Sequence, residues 1–118
     1  MPVSRQGRQS FDKRVAELVA DAMFALSTPT RVQILGCLLD GAHDVSELVR
    51  KLELEQSAVS HQLRVLRDYS LVRVERQGRR RVYTLHDEHV VALLGEAIRH
   101  VEERNRSRRG RRVSDRPM

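Results

Sequence analysis

Between residues 44 and 85 the hydrophobic period changes once, and that change restricts the fold more than any other feature of the chain. "DVSELVRKL" opens on Asp44 with Glu47 three residues on, the pattern of a capping box, and predicts a short helix to about Leu52. A brief connector, "ELEQ", leads into "SAVSHQLRVLRDY". There Val59, Leu63 and Leu66 form an inward stripe, and Ser57, Ser60, His61 and Arg64 face away from it. Two helices joined by so short a turn form a helix-turn-helix. Past residue 70 the period falls to two. "LVRVERQGRRRVYTL" places Leu71, Val72 and Val74 on one arm and Val82, Tyr83 and Leu85 on the other, with Gln77-Gly78 between them, which predicts a β-hairpin.

The flanks supply the remaining elements. Residues 1–9 are polar, contain Pro2 and Gly7, and are expected to form a disordered arm. Ser10 is expected to cap a helix running to about Leu26, with Val15, Leu18, Val19 and Ala22 as its apolar stripe. In "STPTRVQILGCLLDG" Thr28 suits an N-cap with Pro29 at the first helical position, and Gly41 ends the segment. A last amphipathic helix is expected from about Asp87 to Glu103, followed by a low-complexity basic tail, 104–118, expected to be disordered. The order is α-α-α-α-β-β-α: a mainly α chain with a β-hairpin, and a helix-turn-helix followed by a basic hairpin is a winged helix-turn-helix. Residues 10–103 are expected to form one such domain, serving DNA binding and dimerisation.

Composition narrows the setting. The 118 residues suffice for one domain with a modest core. A single cysteine excludes an internal disulfide framework and fits a reducing cytosol. No stretch approaches the roughly 20 apolar residues that cross a bilayer, and "MPVSRQGRQS" has no apolar targeting segment, so a cytoplasmic protein without membrane contact is expected. With only two Phe and two Tyr, the core must be built from Leu, Val, Ala and Ile, and a core that light gains from a partner subunit. The formal charge of +6 misleads at first sight. Residues 104–118 hold seven arginines against one aspartate, which already equals +6, so the preceding 103 residues are net neutral. Arg73, Arg76, Arg79, Arg80 and Arg81, clustered on the hairpin, are the more telling charges.

A helix-turn-helix places the start of its second helix against base edges in the major groove of double-stranded DNA. Ser57, Ser60, His61, Gln62 and Arg64 are the candidates to do so, with Gln62 suited to adenine's N6 and N7. The hairpin arginines Arg76, Arg79, Arg80 and Arg81 suit phosphates or the minor groove. Binding built on phosphate contacts weakens steeply with salt.

"EQSAVSHQLRVLR" at 55–67 resembles the recognition helix of the ArsR/SmtB family of bacterial metal-sensing repressors. "TPTRVQIL" at 28–35 and "RQGRRRVYTL" at 76–85 resemble that family's second helix and wing, and the resemblance spans residues 10–103. It implies a homodimeric winged helix joined through its first and last helices, bound to operator DNA and responsive to metal. One departure is Glu53, which stands after the third helix where glycine is expected; if its φ is positive it costs about 1 kcal/mol.

The last helix carries Asp87 and His89 at one end and His100 and Glu103 at the other. His89 and His100 are eleven residues apart, about 16 Å along a helix axis, whereas zinc ligands lie about 2 Å from the ion. One helix cannot close such a site; two antiparallel copies can. Eleven residues make three turns plus about 20°, so both histidines share a face, and Glu103 neighbours His100 one turn on. The midpoint of 89 and 100 is 94.5 and that of 87 and 103 is 95, a common centre of the kind a two-fold axis requires, with Gly95 upon it. Two sites per dimer follow, each with Asp87 and His89 from one chain and His100 and Glu103 from the other.

The pattern resembles the last-helix site of zinc-sensing family members. Two imidazoles and two carboxylates suit tetrahedral zinc or cobalt. Nickel favours more ligands, and residues 104–118 contain no histidine, which favours zinc; His86, beside the site, is a possible extra ligand that would suit nickel. The Cys-x-Cys of arsenic- and lead-type sensors is absent from the third helix, where "SELVRKL" stands. Cys37 lies on an apolar stripe and is read as an inert thiol. His43, Asp44 and Glu47 form a weaker second cluster, for which capping is the preferred role of the two acids. Two rival classes stand beside this reading. A metalloenzyme lacks a cleft and a spare base here, so no enzymatic activity is expected; a winged-helix regulator that senses no metal would leave the four residues idle.

Overall fold

The computed structural model describes the backbone of residues 11–115 and the side chains through Arg109. Ser10 and the arm at 1–9 lie outside the described residues. Five helices and one hairpin follow in order: α1 (Lys13–Ala25), α2 (Pro29–Leu39), α3 (Val45–Leu52), α4 (Gln56–Asp68), β1 (Val72–Gln77), β2 (Arg80–Leu85) and α5 (Glu88–Asp115). The winged helix-turn-helix order is the expected one. No single helix among the described residues is long and apolar enough to cross a bilayer.

Local capping sets most boundaries. Asp12 is the N-cap of α1, its side chain accepting from the Val15 amide at 3.0 Å. Thr28 caps α2 through the Arg31 amide, with Pro29 inside the first turn. At α3 the capping box closes in both directions: the Glu47 amide donates to Asp44 Oδ1 and the Asp44 amide donates to Glu47 Oε1, each at 2.8 Å. The helix ends on Glu53, which sits in the left-handed region at φ 56°, ψ 47°. Its side chain therefore bears the strain that glycine avoids. Glu53→Gly should stabilise the fold by about 1 kcal/mol, read as a higher denaturation midpoint at unchanged slope.

The hairpin pairs antiparallel from Val72↔Leu85 to Gln77↔Arg80. That register puts Gly78-Arg79 at the tip, one residue later than the expected Gln77-Gly78. Gly78 has φ 64°, as a two-residue hairpin loop with glycine in its first position requires. His43 extends the sheet by an isolated bridge to Tyr83: the His43 amide donates to Tyr83 O at 3.1 Å and the Tyr83 amide to His43 O at 2.8 Å.

The core gathers around Ile34, Leu35, Leu48, Val59, Leu63 and Leu66, all between 0% and 1% exposed. Each such side chain contributes about 1.5–3 kcal/mol by leaving water. Leu71, Val72 and Leu85 seat the hairpin on it, and Val90 and Leu94 seat the start of α5. By contrast α1 buries only Ala25, leaving Leu18 51% and Phe24 62% exposed.

The expectation of a disordered tail is not met over residues 104–115, where α5 continues to Asp115; residues 116–118 lie outside the described residues. The reason lies in the residues themselves. Arginine is a good helix former, Glu102 precedes Arg106 by four residues, and cations toward a helix C-terminus are favoured by its dipole.

Candidate DNA-reading face and metal centre

Helix α4 is held by Val59, Leu63 and Leu66 on its inner side. Ser57, Ser60, His61 and Arg64 are all exposed on its outer side, where the sequence pattern put them. Gln62 is not with them. It lies half-buried toward α2, and its Oε1 accepts from Arg31 Nε at 2.9 Å. Arg31 in turn donates to the carbonyls of Ala25 at 3.1 Å and Phe24 at 3.4 Å, closing the end of α1. Residue 62 stands three after Val59 and one before Leu63, which turns it to the flank of the buried stripe. Through Arg31 it braces α1 and α2 against α4. No side chain caps α4, whereas Asp12, Thr28, Asp44 and Asp87 cap the other helices. The amides at the tip of the reading helix are thus left for an acceptor outside the chain.

Among the wing arginines, Arg76, Arg79 and Arg81 are exposed, and Arg76 faces Arg81 directly across the ladder. Like charges in that register repel. Arg80 behaves differently. Its Nη2 lies 3.0 Å from both Asp44 Oδ2 and Glu47 Oε1, so it ties the wing to the first turn of α3 instead of pointing to DNA. Arg80 and the Glu47 amide together hold the Asp44 carboxyl below its ordinary pKa, the amide hydrogen bond being the larger cause.

These pairings also dispose of the second cluster. Asp44 and Glu47 are engaged with each other and with Arg80. His43 is buried, its Nδ1 donating to Gly41 O at 2.8 Å while Lys51 Nζ donates to Nε2 at 2.8 Å. All three are structural. Cys37 is half-buried, and burial raises its thiol pKa, which keeps it unreactive.

At the start of α5, Asp87 Oδ1 accepts from the Val90 amide at 3.0 Å, the main cause of a lowered carboxyl pKa there. The same oxygen lies 3.7 Å from His89 Nδ1, and the His89 side chain is 96% exposed. Asp87 is therefore both a cap and an ionised donor with a second oxygen to spare. Thirteen and sixteen residues after Asp87, His100 and Glu103 face one shallow groove with Arg104, Ser107 and Arg108. The continuous helix keeps His89 and His100 on one face, three turns apart. Among the described residues of one chain, no three His, Cys, Asp or Glu side chains gather into a group able to hold a metal ion. His86 is half-buried with Nδ1 enclosed and unpaired, so only its other ring nitrogen is open to a ligand role.

A helix-turn-helix with an uncapped outer helix, followed by an arginine-bearing hairpin, defines a winged-helix DNA-binding protein. Residues 28–74 match the family described as bacterial regulatory protein, arsR family. The chain is 50% identical over 91 residues to the HTH-type transcriptional regulator NmtR of Mycobacterium tuberculosis, covering 77% of this chain and 76% of that protein. The solution structure of apo-NmtR superposes with a TM-score of 0.70 over 79% of this chain and 78% of that one, at 49% identity. It is also 38% identical to the transcriptional repressor SmtB homolog of Synechocystis, over 75% of this chain and 67% of the relative. A homodimeric winged helix-turn-helix DNA-binding domain from Mycobacterium bovis gives a TM-score of 0.73 at 26% identity, over 77% of this chain and 84% of the other. The chain belongs to the ArsR family of bacterial transcriptional regulators, DNA-binding proteins and not enzymes.

Proposed function

We propose that the chain is a metal-responsive repressor that binds operator DNA in the cytoplasm as a homodimer and is released when metal joins its two α5 helices, with zinc the favoured ion. The observation that carries this reading is the arrangement on α5. Four exposed donors stand on one unbroken helix, in two pairs symmetric about Gly95, and neither pair suffices alone. Among the described residues, nothing lies within 4 Å of where a Cβ on Gly95 would stand. A mid-helix glycine costs about 1 kcal/mol relative to alanine. With no packing reason inside the chain, the residue is accounted for by a second helix crossing close to it.

The donor chemistry supports zinc. Two imidazoles and two carboxylates complete a tetrahedral nitrogen-oxygen shell. Of the chain's five histidines, His43 is committed to the fold and His61 stands on α4, leaving His86, His89 and His100 near the site. That set is meagre for an octahedral nickel shell. Arg104 and Arg108 beside His100 and Glu103 lower cation affinity in proportion to their proximity. Linking Asp87 and His89 of one chain to His100 and Glu103 of the other would fix the crossing of the α5 pair, and with it the spacing of the two α4 helices along DNA. The coupling is reciprocal: bound DNA weakens metal binding by the same factor.

The test is a metal-by-metal release assay. A duplex is first selected from a random library by the metal-free protein, then challenged with zinc, nickel and cobalt. Zinc is expected to weaken binding by about 5–150-fold, the ordinary span of allosteric coupling. Release should fade as pH is lowered from about 8 to about 6, because imidazoles must be unprotonated to bind. DNA affinity indifferent to all three ions would leave a winged-helix regulator that does not sense metal; release by nickel but not zinc would assign the site to nickel.

A further inference from the structure

We infer that the groove between α4 and the wing is a seat for one backbone phosphate of the duplex, gripped by Arg67 and Arg81 with Arg64 and Ser60. The inference rests on the DNA-binding reading and extends it to a specific site. The groove encloses about 300 Å³ and is lined by Val45, Ser60, Arg64, Arg67, Arg81 and Tyr83. Three arginines share this lining with a serine and a tyrosine, and no acidic residue is among them.

Three arginines elsewhere in the fold are neutralised locally. Arg73, Arg80 and Arg99 each have a carboxylate within 4 Å. Among the described residues, no such pair is formed by Arg64, Arg67 or Arg81. Gathering three like charges around one cavity is unfavourable unless an anion occupies it. Arg76, opposite Arg81 in the ladder, adds to the same field.

Position in the fold says which anion. A recognition helix lies in the major groove, and a wing reaches toward the minor groove beside it. The border between those two grooves is a single sugar-phosphate strand. Any duplex that receives both elements must pass that strand through the gap between α4 and β2, which is where the arginines meet. Arg80 contributes from the other side of the strand. Held on Asp44 and Glu47, it braces the wing over α3, and the pleat then turns its neighbour Arg81 to the groove. Arg67, in the last turn of α4, is the member that periodicity alone does not reveal.

The experiment measures affinity of the full-length protein for a random-sequence duplex as salt rises from about 50 to about 200 mM. Each phosphate contact adds about 0.9 to the slope of log affinity against log salt, so two seats per dimer contribute about 2. Arg67→Gln with Arg81→Gln should lower the slope by about that amount. Arg67→Lys, which keeps the charge, should largely retain it, and Arg99→Gln, distant on α5, should leave it unchanged. A methylphosphonate placed at single backbone positions should weaken wild type at one position per half-site, and lose that effect in the double variant. An unchanged slope in the double variant overturns the proposal, as does an equal loss in Arg99→Gln. Inorganic phosphate titrated against DNA-free protein at constant ionic strength separates the remaining source. Saturation of Arg67 and Arg81 by the free ion with no change in the duplex slope would make this an anion site unrelated to DNA. Absence of any duplex binding by wild type would instead sink the DNA-binding reading itself.

Discussion

A dimer assembled from one His89→Ala chain and one His100→Ala chain should bind a single metal ion with wild-type affinity, although neither homodimer does. Each homodimer carries two damaged sites, and losing one of four ligands should weaken them by more than about 100-fold, since outer-shell changes alone cost 10–100-fold. In the mixed dimer the damage is redistributed. One site takes both substitutions and is lost. The other receives intact Asp87 and His89 from the His100→Ala chain and intact His100 and Glu103 from the His89→Ala chain. Differently tagged chains, co-purified and titrated with zinc, should therefore take up half the wild-type amount and recover part of the metal-dependent release from DNA. This outcome depends only on the two halves coming from different chains. If ligands were supplied by one chain, or by a terminus, the mixed dimer would be no better than its parents. Binding in either homodimer at wild-type strength would remove His89 and His100 from the site altogether.

How much of this was legible beforehand follows the range of the interaction. Asp44 with Glu47, and Thr28 with Pro29, are contacts over three residues or fewer, and the capping box forms with both hydrogen bonds at 2.8 Å. The period switch at residue 70 located the wing, with an error of one residue at its tip because Gly78 must come first in the loop. Glu53 was expected to be strained only by resemblance, and its φ bears that out. What was missed is long-range or graded. Arg80 is one of five basic residues in a row of nine, and nothing local distinguishes the one that reaches 36 residues back to Asp44. Gln62 has the chemistry to read a base but stands on the flank of a buried stripe. His43 is paired in the sheet with Tyr83 across forty residues of chain. The tail was judged by its low complexity, yet the residues that look disordered by composition are good helix formers attached to a helix already nucleated. The proposed ligand pairing rests on spacing along an α5 that runs unbroken from Glu88; a break in that helix would spoil the common midpoint.

Leu18→Glu should dissociate the dimer. Within one chain the substitution is nearly harmless. Leu18 is 51% exposed, and surface changes of that kind lie within about 0.5 kcal/mol. The physical argument for a large effect comes from what α1 lacks. A helix of 13 residues is marginal in water by itself, and this one buries only Ala25. Its larger apolar residues Leu18, Val19, Met23 and Phe24 are exposed, as are Val91, Leu93 and Val101 on α5. Met23, Leu26 and Val32 already share an apolar groove with Leu93, Ile98 and Val101. A second copy covering this surface would stabilise both helices, and in the proposed site it would also bring Asp87 and His89 to His100 and Glu103. A glutamate at position 18 would then be an unpaired charge buried twice over by symmetry, at about 3 kcal/mol or more each time. The dimer dissociation constant should rise by about 10⁴-fold, about 6 kcal/mol for the two charges at 1.4 kcal/mol for each factor of ten. Duplex affinity should fall by about 10²–10⁴ as the two α4 helices lose their linkage, and zinc uptake should disappear although no ligand has been touched. Sedimentation equilibrium, with circular dichroism to establish that the chain is folded, decides the matter. A Leu18→Glu protein that sediments as a dimer at wild-type strength would place the interface elsewhere and break the link between dimerisation and the metal site.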